Sequence, residues 1–134
     1  MSEARRGAEV PASETLSRAI TSADWWVAAE NRVSSAAFAF PVFSVDIASM
    51  ATPEETLDRF RLGSGLVQFN AGAGRQLGFD ARQELDEDFP DNLAHANVYC
   101  ALPKSERKRH AQQLVLLTSV VRIPALSRQE PPLD

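Results

Sequence analysis

The chain has 134 residues, 14 Lys and Arg against 18 Asp and Glu, a net charge of −4 and one cysteine, Cys100. That length fits one domain with a core of its own and leaves little room for a second. The mild negative balance argues against a general affinity for nucleic acid or anionic membrane, both of which need a strong positive field. A lone thiol excludes an internal disulfide, so a reducing, cytoplasmic setting is expected, with no metal site and no cofactor.

Residues 1–12 are small, charged and interrupted by proline, and they read as a flexible N-terminal tail without a secretory apolar region. Ser13 is placed to cap a first helix over residues 14–30, because Leu16, Ile20, Ala23 and Val27 fall at helical spacing. On such a helix Trp25 and Trp26 diverge by about 100°, so both cannot enter one core. That makes them interface candidates, since an exposed Trp is a common anchor.

Residues 32–50, RVSSAAFAFPVFSVDIASM, carry no charge between Arg32 and Asp46. Phe38 and Phe40 share one parity before Pro41. Phe43, Val45 and Ile47 alternate with Val42, Ser44 and Asp46 after it. This is a strand pattern with the proline at an edge or bulge, and the phenylalanines are expected to be interior. Thr52-Pro53-Glu54-Glu55 spells a capping box with proline at the first helical position. That helix is expected to end near Gly63.

SGLVQFN reads as a further strand. Gly72-Ala73-Gly74 resembles the start of a phosphate-cradling loop, but its spacing matches neither a Walker motif nor a dinucleotide fingerprint, which leaves a turn. DARQELDEDFPDN reads as an acidic loop without the spacing of a calcium site. NLAHANVYCAL alternates His95, Asn97 and Tyr99 against Ala94, Ala96, Val98 and Cys100, a strand with one polar face. Ser105 starts a last helix with an apolar stripe through Ala111, Leu114, Val115, Thr118 and Val121, stopped by Pro124. Residues 125–134 read as a flexible C-terminal tail.

The expected architecture is a single α+β domain over residues 13–124, with a small mixed or antiparallel sheet and helices packed mainly on one face. Three readings of its function follow. The first is a small soluble binding or accessory module of regulatory or immunity type, acting by protein–protein association, with a protein partner or a homo-oligomer. The second is a compact enzyme acting on a nucleotide-like anion. Its catalytic candidates are Arg32, Ser44, Asp46, His95 and Tyr99, with Arg75 as an anion ligand. An Arg entering one strand and a Ser on another resemble the ADP-ribosyltransferase layout. That resemblance implies that Arg32 holds a phosphate or ribose and that a late-strand Glu directs transfer, yet NLAHANVYCAL contains no Glu. The third is an anion or nucleic-acid contact through Lys104, Arg107, Lys108 and Arg109 at the start of the last helix. The bland alternative for that cluster is pairing with the acidic loop, in the same chain or a neighbouring one.

Overall fold

A computed structural model describes residues 7–126. Its main feature is a seven-stranded, wholly antiparallel sheet in the order β1-β7-β8-β5-β2-β6-β9. The strands are β1 (Ala8–Glu9), β2 (Thr15–Ile20), β5 (Val42–Ile47), β6 (Gly65–Asn70), β7 (Asp80–Gln83), β8 (His95–Tyr99) and β9 (Ser119–Arg122). A separate two-stranded ribbon joins β3 (Trp26–Val27) to β4 (Arg32–Val33). Among the described residues there are three α-helices: α1 (Pro53–Leu57), α2 (Ala71–Gln76) and α3 (Lys104–Val115). An α+β domain on an antiparallel sheet is therefore present.

Side chains alternate across a strand, so register separates the two sheet faces. Leu16 pairs with Phe69 and Ile47, Phe43 with Val98, and Val45 with Ala96. This apolar face meets Phe38, Phe79 and the buried Ala111, Leu114 and Val115 of α3 in one core cluster. The opposite face carries Ser17, Ser44, Asp46, Gln68, His95, Asn97 and Tyr99. Over it lies α1, whose Leu57 forms a second small cluster with Ala19 and Leu66. Phe38 and Phe43 are interior, as expected, and Phe40 packs partly buried against the core. Cys100 is buried.

Several expected elements change type. The helix expected over 14–30 is β2, followed by 3₁₀ turns at Ala23–Trp25 and Ala28–Glu30 with β3 between them. β2 lies between β5 and β6 and is buried on both faces from Leu16 to Ile20. A strand enclosed in this way has no polar alternation to betray its period of two. The segment before Pro41 is β4 and a 3₁₀ turn at Ser35–Ala37 capped by Ser34, while β5 follows the proline as expected. The turn expected at Gly72-Ala73-Gly74 is helix α2, capped by the Asn70 side chain. Its chain exits through Gly78 at φ +94°, which costs a side-chain-bearing residue more than it costs glycine.

The acidic segment expected as a loop begins with β7, whose Ala81 faces the core while Asp80 and Arg82 bind each other on the far face. The last helix stops at Val115, and Thr118 and Val121 belong to the turn and strand that follow. The N-terminal tail boundary at residue 12 falls inside the sheet: Ala8–Glu9 pairs with β7, and Val10 is 1% exposed. Residues 1–6 of that tail and 127–134 of the other lie outside the described residues, whereas Ala125 donates its N–H to Gly63 O at 2.8 Å.

The capping box is present as read. Thr52 Oγ1 accepts from the Glu55 N–H at 3.1 Å, and Glu55 Oε1 accepts from the Thr52 N–H at 2.9 Å. The helix it opens is short and ends at Leu57 rather than near Gly63. That one turn nevertheless aims Thr56, Leu57 and Arg59 at the sheet.

Candidate functional site

β2 and β5 pair only at Leu16↔Ile47 and Ser17↔Asp46. Continued registry would set Ala19 against Ser44, but the strands have parted there. Arg18 fills the apolar side of the split. Its Nε donates to Ala37 O and its Nη1 to Ser44 O, both at 3.1 Å. The guanidinium carbon lies 4.7 Å from the Trp25 ring centroid, 4.9 Å from Phe43 and 5.9 Å from Phe40. Burial lowers the Arg18 pKa from its ordinary value to about 10, so the cation persists at neutral pH. No ion pair to Arg18 occurs among the described residues; two carbonyls and three rings hold the charge instead.

On the polar side the split opens into a cavity of about 200 Å³. Ser17, Ser44, Asp46, Thr56, Arg59 and His95 are among its lining residues, with Asp86 and Asn92 from the β7–β8 connection. Asp46 is its most heavily bonded member. It accepts from Thr56 Oγ1 at 2.6 Å, from Asn92 Nδ2 at 2.9 Å and from Arg59 in an ion pair. One carboxylate thereby ties α1 and the acidic connection to β5.

His95 is 4% exposed. Its Nδ1 lies 2.8 Å from the backbone oxygen of Glu84, which can only accept, so Nδ1 carries the proton. In the neutral ring Nε2 is then an acceptor. It lies 3.2 Å from Ser44 Oγ and 4.0 Å from Asp86 Oδ2. Ser44 itself is solvent-exposed. A reachable hydroxyl therefore meets a buried imidazole fixed in the tautomer that takes a proton.

Of the catalytic candidates read from the sequence, Ser44, Asp46 and His95 come together. Arg32 lies apart, exposed on ribbon strand β4, where its Nε binds Glu30 Oε1 at 2.5 Å. Tyr99 shares the polar face but donates its hydroxyl to Glu84 Oε1 at 2.6 Å, and Asn97 Nδ2 donates to the same oxygen at 2.9 Å. The expected row His95, Asn97, Tyr99 is thus fastened along its length to Glu84, by one backbone and one side-chain contact point. Arg75 clasps the N-terminal strand, reaching Asp80 Oδ1 and Glu9 Oε2 at 3.1 Å and Val10 O at 2.8 Å.

In the basic cluster, Lys104, Lys108 and Arg109 are exposed, while Arg107 donates to Leu102 O at 3.1 Å. Among the described residues none of the four forms an ion pair with the acidic segment, whose Asp80 is taken by Arg75 and Arg82. The same-chain pairing expected for this cluster is therefore replaced by a solvent-facing helix start. Trp25 and Trp26 are both half-buried. Trp25 meets Phe40 edge-on at 5.8 Å, and Trp26 lines a shallow groove with Pro124 and Leu126.

Thr56, Arg59, Glu84, Asp86 and Asn92 were not singled out from the sequence as site residues. The signal for Thr56 and Arg59 was the capped helix, on which positions three apart share a face. Glu84 and Asp86 belong to the acidic segment that the sequence offers only as a loop without calcium spacing, and nothing local marks Asn92.

A second feature lies at the far edge of the sheet. β9 is the terminal strand beside β6, and all four of its residues are exposed. Apolar neighbours extend it: Leu116 is 81% exposed, Leu117 51% and Ile123 55%.

Among the described residues no group of three or more His, Cys, Asp or Glu is placed to hold a metal ion, and no helix is long and apolar enough to cross a membrane. No family model, no curated protein and no solved structure matches the chain.

Proposed function

We propose that this chain is a small accessory module that acts by protein–protein association, and that its first partner is a second copy of itself, paired along β9. The observation that carries the reading is the exposure of β9 on both of its faces at the open end of the sheet. An edge strand offers unpaired N–H and C=O groups to another strand, and proteins that remain monomeric blunt such edges with charge, proline or cover. Here the edge is Ser-Val-Val-Arg, with one cation, and it sits among exposed leucines and an isoleucine. Contiguous exposed apolar surface of this kind marks interaction sites.

The sequence of β9 suits antiparallel pairing with itself. Centred on Val120, the register sets each Val120 against its own counterpart and Ser119 against Val121 of the partner copy. The two Arg122 side chains then stand roughly 13 Å apart along the strands, beyond one Debye length, so they do not oppose the contact. Such a pairing joins two seven-stranded sheets into one and makes a two-fold, self-complementary interface.

Light scattering after gel filtration, over a hundred-fold range of concentration, tests this. A dimer is expected, and Val120→Glu with Val121→Glu should return it to a monomer with unchanged far-ultraviolet dichroism. A chain that is monomeric throughout, or a dimer indifferent to the double substitution, would remove the self-pairing reading and leave β9 to a different partner.

A further inference from the structure

We propose that Ser44 is a base-activated nucleophile and that the cavity between β2 and β5 takes a small uncharged acyl ester. This goes beyond association along β9, which uses the edge of the sheet, with β6 between it and β2. A serine hydroxyl becomes a nucleophile when a neighbouring base is within hydrogen-bond reach and a third group orients that base. Each part is present: Ser44 Oγ lies 3.2 Å from His95 Nε2, and Glu84 O holds His95 Nδ1–H at 2.8 Å.

The remaining walls support the same chemistry. Asp86 Oδ2, 4.0 Å from Nε2, stabilises the imidazolium that forms when the ring takes the serine proton. Arg59 has two of its five N–H donors committed, Nη1 to Glu55 O at 3.2 Å and Nη2 to Asp46. The others are available to an oxyanion in the cavity that Arg59 lines. The Ser44 carbonyl is itself held from the apolar side by Arg18 at 3.1 Å, which fixes the strand that presents the hydroxyl.

Charge and size set the substrate class. Among the ionised lining side chains Asp46 and Asp86 balance Arg18 and Arg59, and the guanidinium of Arg18 is engaged among aromatic rings, so the cavity holds no surplus cation for a substrate that arrives charged. A cavity of about 200 Å³ is smaller than the roughly 300–1,000 Å³ of sites that enclose larger ligands.

The step balances as follows. Ser44 Oγ attacks the ester carbonyl carbon and its proton passes to His95 Nε2. The carbon–oxygen bond to the alcohol breaks, and the leaving alkoxide takes the proton from the ring. Water, activated by the same ring, then attacks acyl-Ser44, giving a carboxylic acid and the free hydroxyl.

The test uses the full chain with an alkyl fluorophosphonate, which forms a bond from phosphorus to a base-activated serine oxygen and releases hydrogen fluoride. Intact mass and peptide mapping should place one adduct on Ser44. Ser44→Ala should abolish it. His95→Gln, which keeps size and polarity without a base, should slow adduct formation about 100-fold or more. Ser105→Ala, at an exposed hydroxyl of α3 away from the cavity, should leave the rate unchanged, and thermal unfolding of each variant reports whether it folds. Hydrolysis of p-nitrophenyl acetate should follow the same order. An unlabelled wild-type chain, an adduct that persists in Ser44→Ala, or a folded His95→Gln labelled at the wild-type rate would each overturn the proposal. None of these results bears on dimerisation through β9.

Discussion

Replacing Asp46 by alanine should unfold this protein more readily than any other single polar substitution on the sheet. The carboxylate is 4% exposed and gathers three donors from two separate segments. Its loss strands the Thr56 hydroxyl, itself 2% exposed, at a cost of about 1–2 kcal/mol. Breaking a buried ion pair by removing one partner costs about 3–5 kcal/mol. Arg59 retains 18% side-chain exposure and can turn its charge toward water, so its share falls below that range. A total of about 3–4 kcal/mol follows, a fall in melting temperature of roughly 10–15 °C for a domain of this length. Urea titration with calorimetry measures both. Thr56→Val should cost about 1 kcal/mol alone and less in the Asp46→Ala background, where its partner is already gone. A loss below about 1 kcal/mol for Asp46→Ala, or strict additivity with Thr56→Val, would refute the idea that this carboxylate tethers α1 to the sheet.

Arg18→Met should destabilise the fold at neutral pH by about 2 kcal/mol, because relief of a desolvation cost near 3 kcal/mol is outweighed by two stranded carbonyls and lost ring contacts. The pH dependence has a definite sign. With a folded pKa of about 10 against a higher ordinary value, the unfolded chain binds more protons above pH 10, so this group raises stability as pH climbs from there. Urea unfolding at pH 9 and pH 11 should show that increment in the wild type relative to Arg18→Met, and its absence would mean the guanidinium is not desolvated. Thr52→Ala should cost about 1 kcal/mol through loss of the capping box and should leave α3 untouched, as amide exchange resolved by residue would report.

What was legible in the sequence was whatever carried its own local chemistry. Thr52, Pro53 and Glu55 announce α1, and the alternations after Pro41 and around His95 announce β5 and β8. The failures share a physical cause. β2 has neighbours on both edges and side chains buried on both faces, so burial erased the alternation that marks a strand. The spacing of Leu16 and Ile20 then imitated a helix. β9 failed in the opposite way: it is exposed throughout, and Val121 looked like one more position on the stripe of α3. β1 is two residues long and exists only because β7 offers an edge and Arg75 a clasp. Ser44, Asp46 and His95 could be named because they stand on strands with readable parity. Their partners Asn92, Asp86 and Glu84 come from an irregular connection, where only the folded chain assigns neighbours.

The two unusual features of the sheet, the buried cation and the polar cavity, have one origin. In β5 the backbone groups of Ile47 point to β8, as its N–H bond to Ala94 O at 2.8 Å shows, so those of Asp46 and Ser44 point to β2. Where β2 turns away, Ser44 O loses the ladder donor that regular pairing supplies, and a buried carbonyl left bare costs about as much as a lost hydrogen bond. Arg18 supplies the donor from its own side chain. A lysine could reach one carbonyl but not hold Ala37 O and Ser44 O from one planar group while lying against Trp25 and Phe43. The arginine thus lets β2 and β5 separate without an orphaned acceptor. That separation creates the gap into which Thr56 and Arg59 reach from the other side. The apolar face bears the energetic burden of a cavity that opens on the polar one. Arg18, whose hydrogen bonds go to Ala37 O and Ser44 O and not to Ser44 Oγ or His95, is therefore the residue on which the geometry of both depends.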